Sequence, residues 1–244
     1  MEFQAGFLLS VALFILPAGI YATAFTLKNN CSFTIWPATQ AGAGRYQLSS
    51  TGIPLVSNAT ASFDLPADWS GRIWARSGCS ADDAGKFTCQ TGDCASGQVS
   101  CNGAGGVPPA TLVEVTLGAS GGQDFYDISL VDGFNLPVSL APQGGAGGCQ
   151  ATSCAADVNK VCPPELALKG AEGSVVGCKS ACLALKEAQY CCTENFSSPA
   201  TCLPTNYSKV FKAECPQAYS YAYDDRTSIF TCAGATNYVL TFCP

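Results

Sequence analysis

The chain has 244 residues, 48% apolar and only 12% charged, so it carries enough apolar surface for a folded core and does not read as disordered. It contains no histidine, which excludes Ser-His-Asp triads, Cys-His dyads and histidine general bases and leaves carboxylates, Lys or Tyr for any catalysis. The formal net charge of −6 disfavours nucleic acid and anionic membrane surfaces as partners but tolerates neutral polysaccharide.

Residues 7–16 form an apolar run of signal-peptide length, too short to span a bilayer. Small residues at Ala22 and Ala24 fit cleavage after either one, so residues 1–24 are expected to hold a secretory signal, although its start carries Glu2 and no Lys or Arg. A secreted route is oxidising, and the sixteen cysteines are therefore expected to pair fully. Their spacing does not give the connectivity. Adjacent Cys191 and Cys192 must each reach a different partner. Without histidine or a repeated finger-like C-x-x-C spacing, no metal is implied, and no other cofactor either. Asn58, Asn195 and Asn206 head N-glycosylation sequons suited to a secreted surface; the sequon at Asn30 has a cysteine in its middle and is the weakest.

Residues 25–29 and 32–36 alternate as short strands, the second ended by Pro37. Residues 62–65 and 72–76 repeat the pattern. From Cys79 to Cys101 the composition shifts to Gly, Ser, Asp and cysteine, which predicts loops stapled by local bridges. Residues 111–117 are the clearest strand, followed by strands over 124–130 and 136–140 and a glycine-rich break at 144–148. Helical propensity then appears over 178–186 and 207–214, and residues 238–242 return to strand. The chain predicts a mainly β body with a small disulfide-rich helical excursion.

Within the 111–117 strand Glu114 lies between apolar neighbours, on the face of Leu112 and Thr116. An ionised side chain there needs a partner or a polar groove. Asp127 and Asp132 are five residues apart and can share a site only if the chain bends between them.

The run Gly85-Lys86-Phe87-Thr88-Cys89-Gln90-Thr91-Gly92-Asp93-Cys94, followed by Gly97 and Cys101, resembles the signature of the thaumatin-like proteins. So do Ile35-Trp36-Pro37, Trp74-Ala75-Arg76-Ser77-Gly78-Cys79, the stretch from Asp124 to Asn135, Cys215-Pro216-Gln217-Ala218-Tyr219-Ser220-Tyr221 and the terminal Thr241-Phe242-Cys243-Pro244. The resemblance covers Phe25 to the end. It implies a flattened β-sandwich (about 25–76, 104–153 and 216–244) with two disulfide-rich lobes, one of loops (about 77–103) and one helical (about 154–215). It also implies the pairing Cys31–Cys243, Cys79–Cys89, Cys94–Cys101, Cys149–Cys232, Cys154–Cys215, Cys162–Cys178, Cys182–Cys191 and Cys192–Cys202.

The family's acidic cleft maps onto Arg76, Glu114, Asp127, Asp132 and Asp224, with Asp225 an equally placed alternative to Asp224. Two carboxylates can hydrolyse a glycosidic bond, and Glu114 as acid with Asp127 as its partner is the expected pair. Phe125, Tyr126, Phe134 and Tyr221 are candidates to stack on sugar rings, although core packing is the commoner use of such residues. The resemblance implies a secreted, apoplastic or cell-wall defence protein, monomeric and antifungal, with fungal β-1,3-glucan as partner. Weak endo-β-1,3-glucanase activity is one alternative. An osmotin-like membrane or receptor activity is another, which the acidic charge weakens.

Overall fold

A computed structural model describes residues 22–118 and 122–244; of the expected signal, residues 1–24, all but the last three lie outside them, and Thr23 and Ala24 open the first strand. The described strands are β1 (Thr23–Asn29), β2 (Trp36–Ala41), β3 (Thr60–Leu65), β4 (Ser70–Ala81), β5 (Phe87–Thr91), β6 (Leu112–Thr116), β7 (Gln123–Ser129), β8 (Val138–Ala146), β9 (Thr152–Cys154), β10 (Ala167–Lys169), β11 (Val175–Cys178) and β12 (Ile229–Phe242). The described helices are four short α-helices, α1 (Ala181–Leu185), α2 (Ala188–Cys191), α3 (Asn206–Glu214) and α4 (Asp225–Ser228), and two 3-10 turns at Val158–Val161 and Glu194–Phe196. No described helix is long and apolar enough to cross a membrane.

The main sheet runs β2-β4-β6-β7-β12-β1-β3, with β5 on β4 and β8 bridging β12 and β9. The 14-residue β12 makes it curl. Its first residues pair antiparallel with β7, its later ones parallel with β1, and a register shift between Ala235 and Asn237 marks the bend. Two leaves thus face each other and share one strand.

Strand alternation fills the space between them: Ile73 and Ala75, Val113 and Val115, Tyr126 and Ile128 point inward from one leaf, and Phe25, Leu27, Tyr238, Leu240 and Phe242 from the other. Tyr238 joins the leaves, stacking on Phe25 and meeting Tyr126 edge-on at 5.4 Å. Its hydroxyl donates to the buried Asp124 at 2.8 Å, and the same carboxylate accepts from the Gly118 N–H. Tyr238→Phe should therefore destabilise by about 1–3 kcal/mol, because a buried charged acceptor loses a donor. Urea unfolding that shows no loss would mean the carboxylate finds another donor.

The eight disulfides join Cys31–Cys243, Cys79–Cys89, Cys94–Cys101, Cys149–Cys232, Cys154–Cys215, Cys162–Cys178, Cys182–Cys191 and Cys192–Cys202, the pairs that the resemblance implies.

Several elements differ from the sequence expectation. Residues 32–35 make only an isolated bridge, at Ile35, and β2 starts at Trp36 and runs through Pro37. As an edge strand, β2 tolerates a residue without an N–H. The segment after Cys79 is not all loop, since β4 continues to Ala81 and closes a hairpin with β5. The glycines at 144–148 do not break β8, which reaches Ala146 with Gly144 and Gly145 at positive φ. The helix expected over 178–186 shrinks to α1. Cys178 is tied to Phe134 by two backbone hydrogen bonds, Ser180 caps the helix start, and Lys186 ends it in the left-handed region. The 207–214 helix is α3, opened by a Thr205–Ser208 capping box.

Candidate functional site

The outer face of the first leaf carries one aligned row. Arg72 on β4 lies opposite Gln40 on β2 and Glu114 on β6; Glu114 lies opposite Asp127 on β7, and Asp127 opposite Ile229 on β12. Directly opposite residues have Cβ atoms about 4.5–5.5 Å apart, so these side chains must interact. Arg72 Nε donates to Glu114 Oε1 at 2.9 Å, in an ion pair open to solvent.

Asp127 fares differently. Its Oδ1 is buried with no hydrogen-bond partner, and burial, followed by the neighbouring Glu114 carboxylate, pushes the Asp127 carboxyl up to about 8. Arg72 offsets this in part, and Asp225 adds to it. The row holds a carboxylate next to a carboxylic acid that keeps its proton near neutral pH.

Two further segments wall the row in. Backbone bonds from Tyr219 N to Ile128 O and from Leu130 N to Tyr219 O pin the 219–225 segment beside β7. This places Asp225 over Asp127, its Oδ1 accepting from the Tyr219 hydroxyl at 2.8 Å. Burial and then that bond raise the Tyr219 phenol above its ordinary value.

The turn from Leu130 to Gly133 swings Asp132 to the same side as Asp127. Gly133 sits at φ +87°, and a Cβ there would meet the Cys178 carbonyl oxygen at 2.5 Å, so no other residue fits. Arg72, Glu114, Asp127, Asp132, Tyr219 and Asp225 thus line a groove of about 320 Å³. A second cavity of about 540 Å³, lined also by Gln40, Phe125 and Ile229, shares Arg72, Glu114 and Asp127 with it. The two form one continuous trough.

Not every residue singled out from sequence lies there. Arg76 is fully buried, and its Nε and Nη2 donate to the carbonyls of Trp36 and Val99 at 3.0 and 2.6 Å. Burial lowers its guanidinium to about 10, with the Asp93 charge opposing. Arg72 and Arg76 share the outer face of β4, but four residues of strand separate them by roughly 13 Å. The β4–β6 pairing has ended by Arg76, so the groove cation is Arg72.

Asp224 turns away too. It accepts from Ser220 N and Oγ and pairs with Lys212 at 2.9 Å, leaving the groove to Asp225. Tyr126 and Phe134 are core residues at 1% and 0% exposure, Tyr221 faces a crevice of the helical lobe, and Phe125 alone of the four stands exposed in the trough. Sequence reasoning missed Arg72 and Tyr219. Strand parity leaves Arg72 and Arg76 on one face, so only the β4–β6 register singles out Arg72; Tyr219 arrives through a loop that only tertiary pairing places. Among the described residues no group of three or more Cys, Asp or Glu is arranged to hold a metal ion.

The thaumatin family matches residues 29–244. The chain belongs to the thaumatin family. It is 61% identical to "Thaumatin-like protein 1" of Pyrus pyrifolia, with all of both chains covered. It is 56% identical to the Prunus avium protein named "Glucan endo-1,3-beta-glucosidase", covering 97% of each. Among solved structures, a laminaripentaose-producing β-1,3-glucanase in complex with laminaritetraose shares the fold of this thaumatin-family protein, with TM-score 0.66 at 13% identity over 92% of this chain and 99% of that one.

Proposed function

We propose that the protein is a secreted, extracellular defence protein of the apoplast or cell wall, whose trough binds the β-1,3-glucan of fungal walls. The observation that carries this reading is the aligned row Arg72–Glu114–Asp127, with Asp225 and Asp132 facing it and Phe125 exposed at its side. Carboxylates accept hydrogen bonds from sugar hydroxyls, Arg72 donates them, and a protonated Asp127 does both. Phe125 offers a flat apolar surface to a sugar face. A trough built of two joined cavities suits a polymer rather than a monosaccharide. Signal cleavage after Ala22 would leave β1 whole, because Thr23 and Ala24 are paired with β3. The exposed Asn58, Asn195 and Asn206 would carry the glycans.

The test is sedimentation with insoluble β-1,3-glucan. The double variant Glu114→Gln/Asp127→Asn should lose at least tenfold in apparent affinity; undiminished binding would remove the trough from the reading.

A second reading, weak endo-β-1,3-glucanase activity, is favoured by the contrast between an ion-paired Glu114 and a protonated Asp127. Two carboxyl groups with separated proton affinities are what glycoside hydrolysis uses. The roles reverse the sequence expectation: Asp127 gives a proton to the leaving oxygen, and the Glu114 carboxylate acts as nucleophile or base. Reducing-sugar release from laminarin should disappear in Asp127→Asn while some binding persists; release equal to the native rate would reject the assignment.

A further inference from the structure

A larger cavity, about 630 Å³, lies at the far end of β4, between the β4–β5 hairpin and β11. Phe33, Trp36, Gln90, Asp157, Asn159 and Val176 are among its walls, and it shares no residue with the trough. We propose that this cavity is a second carbohydrate site, taking a short stretch of neutral β-glucan, an inference that rests on the glucan reading of the trough.

The aromatic floor is preformed. Phe33 is 45% exposed, and Trp36 is partly exposed, whereas Trp69 and Trp74 are buried at 1% and 0%. The Trp36 ring meets Phe87 edge-on at 5.8 Å, Arg76 lies over the same Phe87 ring at 5.4 Å, and Arg76 also holds the Trp36 carbonyl. The buried guanidinium that the resemblance assigned to the cleft thus serves as a positioning residue for this floor. A ring fixed before binding loses little freedom when a sugar stacks on it.

The polar wall holds an unpaired acceptor. Asn159 Nδ2 donates to the Asn135 carbonyl at 3.2 Å, but its Oδ1 is buried with no partner. An unpaired acceptor of this kind asks for a partner, and a sugar hydroxyl would donate to it once the Asn159 side chain turns toward the cavity. Gln90 stands exposed at the rim, with both amide donor and acceptor. No Lys or Arg lines the cavity, and Asp157 is its one charged residue, so an anionic ligand is disfavoured and a neutral one fits. The segment around Cys94–Cys101 covers the leaf between trough and cavity, packing on Trp74, Ala38 and Leu112. Two sites separated in this way can hold one insoluble polymer at two points, raising apparent affinity without new contacts.

Trp36 is the one partly exposed tryptophan of three, so tryptophan emission reports on this site. The probe is β-1,3-linked glucohexaose, titrated into the native protein, into Glu114→Gln/Asp127→Asn and into Phe33→Ala. The expected result is an emission change, with at least twofold protection from acrylamide quenching, in the native protein and in the trough variant alike. Phe33→Ala, which removes an exposed ring, should weaken the response about tenfold. No change in the native protein, a change lost in the trough variant, or one undiminished in Phe33→Ala would each overturn the second site. The trough is judged separately, by adding its two substitutions to Phe33→Ala and measuring the further loss of insoluble-glucan binding.

Discussion

At pH 8, Asp127→Asn is expected to be more stable than the native protein by roughly 2–5 kcal/mol, and at pH 3 the two should melt together. The folded carboxyl titrates near 8 against an ordinary 3.8, so folding takes up a proton between these values. A raised carboxyl favours the native state below the unfolded value, and its contribution is lost as pH climbs through 4 toward 8. Each unit corresponds to 1.36 kcal/mol, and about four units set an upper bound near 5 kcal/mol that water in the open trough reduces. Asparagine carries no charge at any pH and removes the slope. Thermal unfolding from pH 3 to pH 9 would decide; parallel curves for the two proteins would show that Asp127 is ionised in the native state. Any hydrolytic activity should fall in the same variant by about 10²–10⁴, the usual worth of a general acid.

The paired substitution Cys31→Ser/Cys243→Ser is expected to destabilise by about 3–5 kcal/mol, more than loss of a short-range bridge such as Cys94–Cys101. The first bridge spans 212 residues and the second 7. Closing a long loop removes far more freedom from the unfolded chain. Cys31 and Cys243 also flank the paired ends of β1 and β12, so the bridge secures the parallel pairing on which the second leaf depends. Guanidinium unfolding of the two double variants side by side would measure the difference. If Cys94→Ser/Cys101→Ser proved the more damaging, packing of the loop lobe over Trp74 would outweigh chain connectivity.

What could be read from the sequence, and what could not, follows a physical division. The strand over 111–117 alternates cleanly, and its parity put Glu114 on the face opposite Val113 and Val115, which the structure turns into the core. The 207–214 helix was legible because Pro216 marks where it must stop, and the structure ends it at Glu214. The 178–186 helix failed because a bridge to Phe134, far away in sequence, holds Cys178 extended. The site shows the same limit. Glu114, Asp127 and Asp132 could be named, but choosing Arg72 over Arg76 requires the register of β4 against β6. The choice of Asp225 over Asp224 requires Lys212, on α3, to claim the other carboxylate. Both are facts of pairing between distant segments, to which local pattern is blind.

β12 imposes an order on biosynthesis. It completes both leaves, and it is made after every other strand. At roughly 5–20 residues per second, Cys31 waits on the order of 10–40 s for Cys243 to be synthesised. Throughout that interval β1 lacks its parallel neighbour, and the Cys31 thiol meets Cys79, Cys89, Cys94 and other thiols first. Early oxidation therefore tends to give wrong pairs, and the native set is reached by exchange once β12 has been added. The nascent chain needs a compartment that both oxidises thiols and reshuffles them, and its yield should depend on disulfide isomerase more than on chaperones that only shield apolar surface.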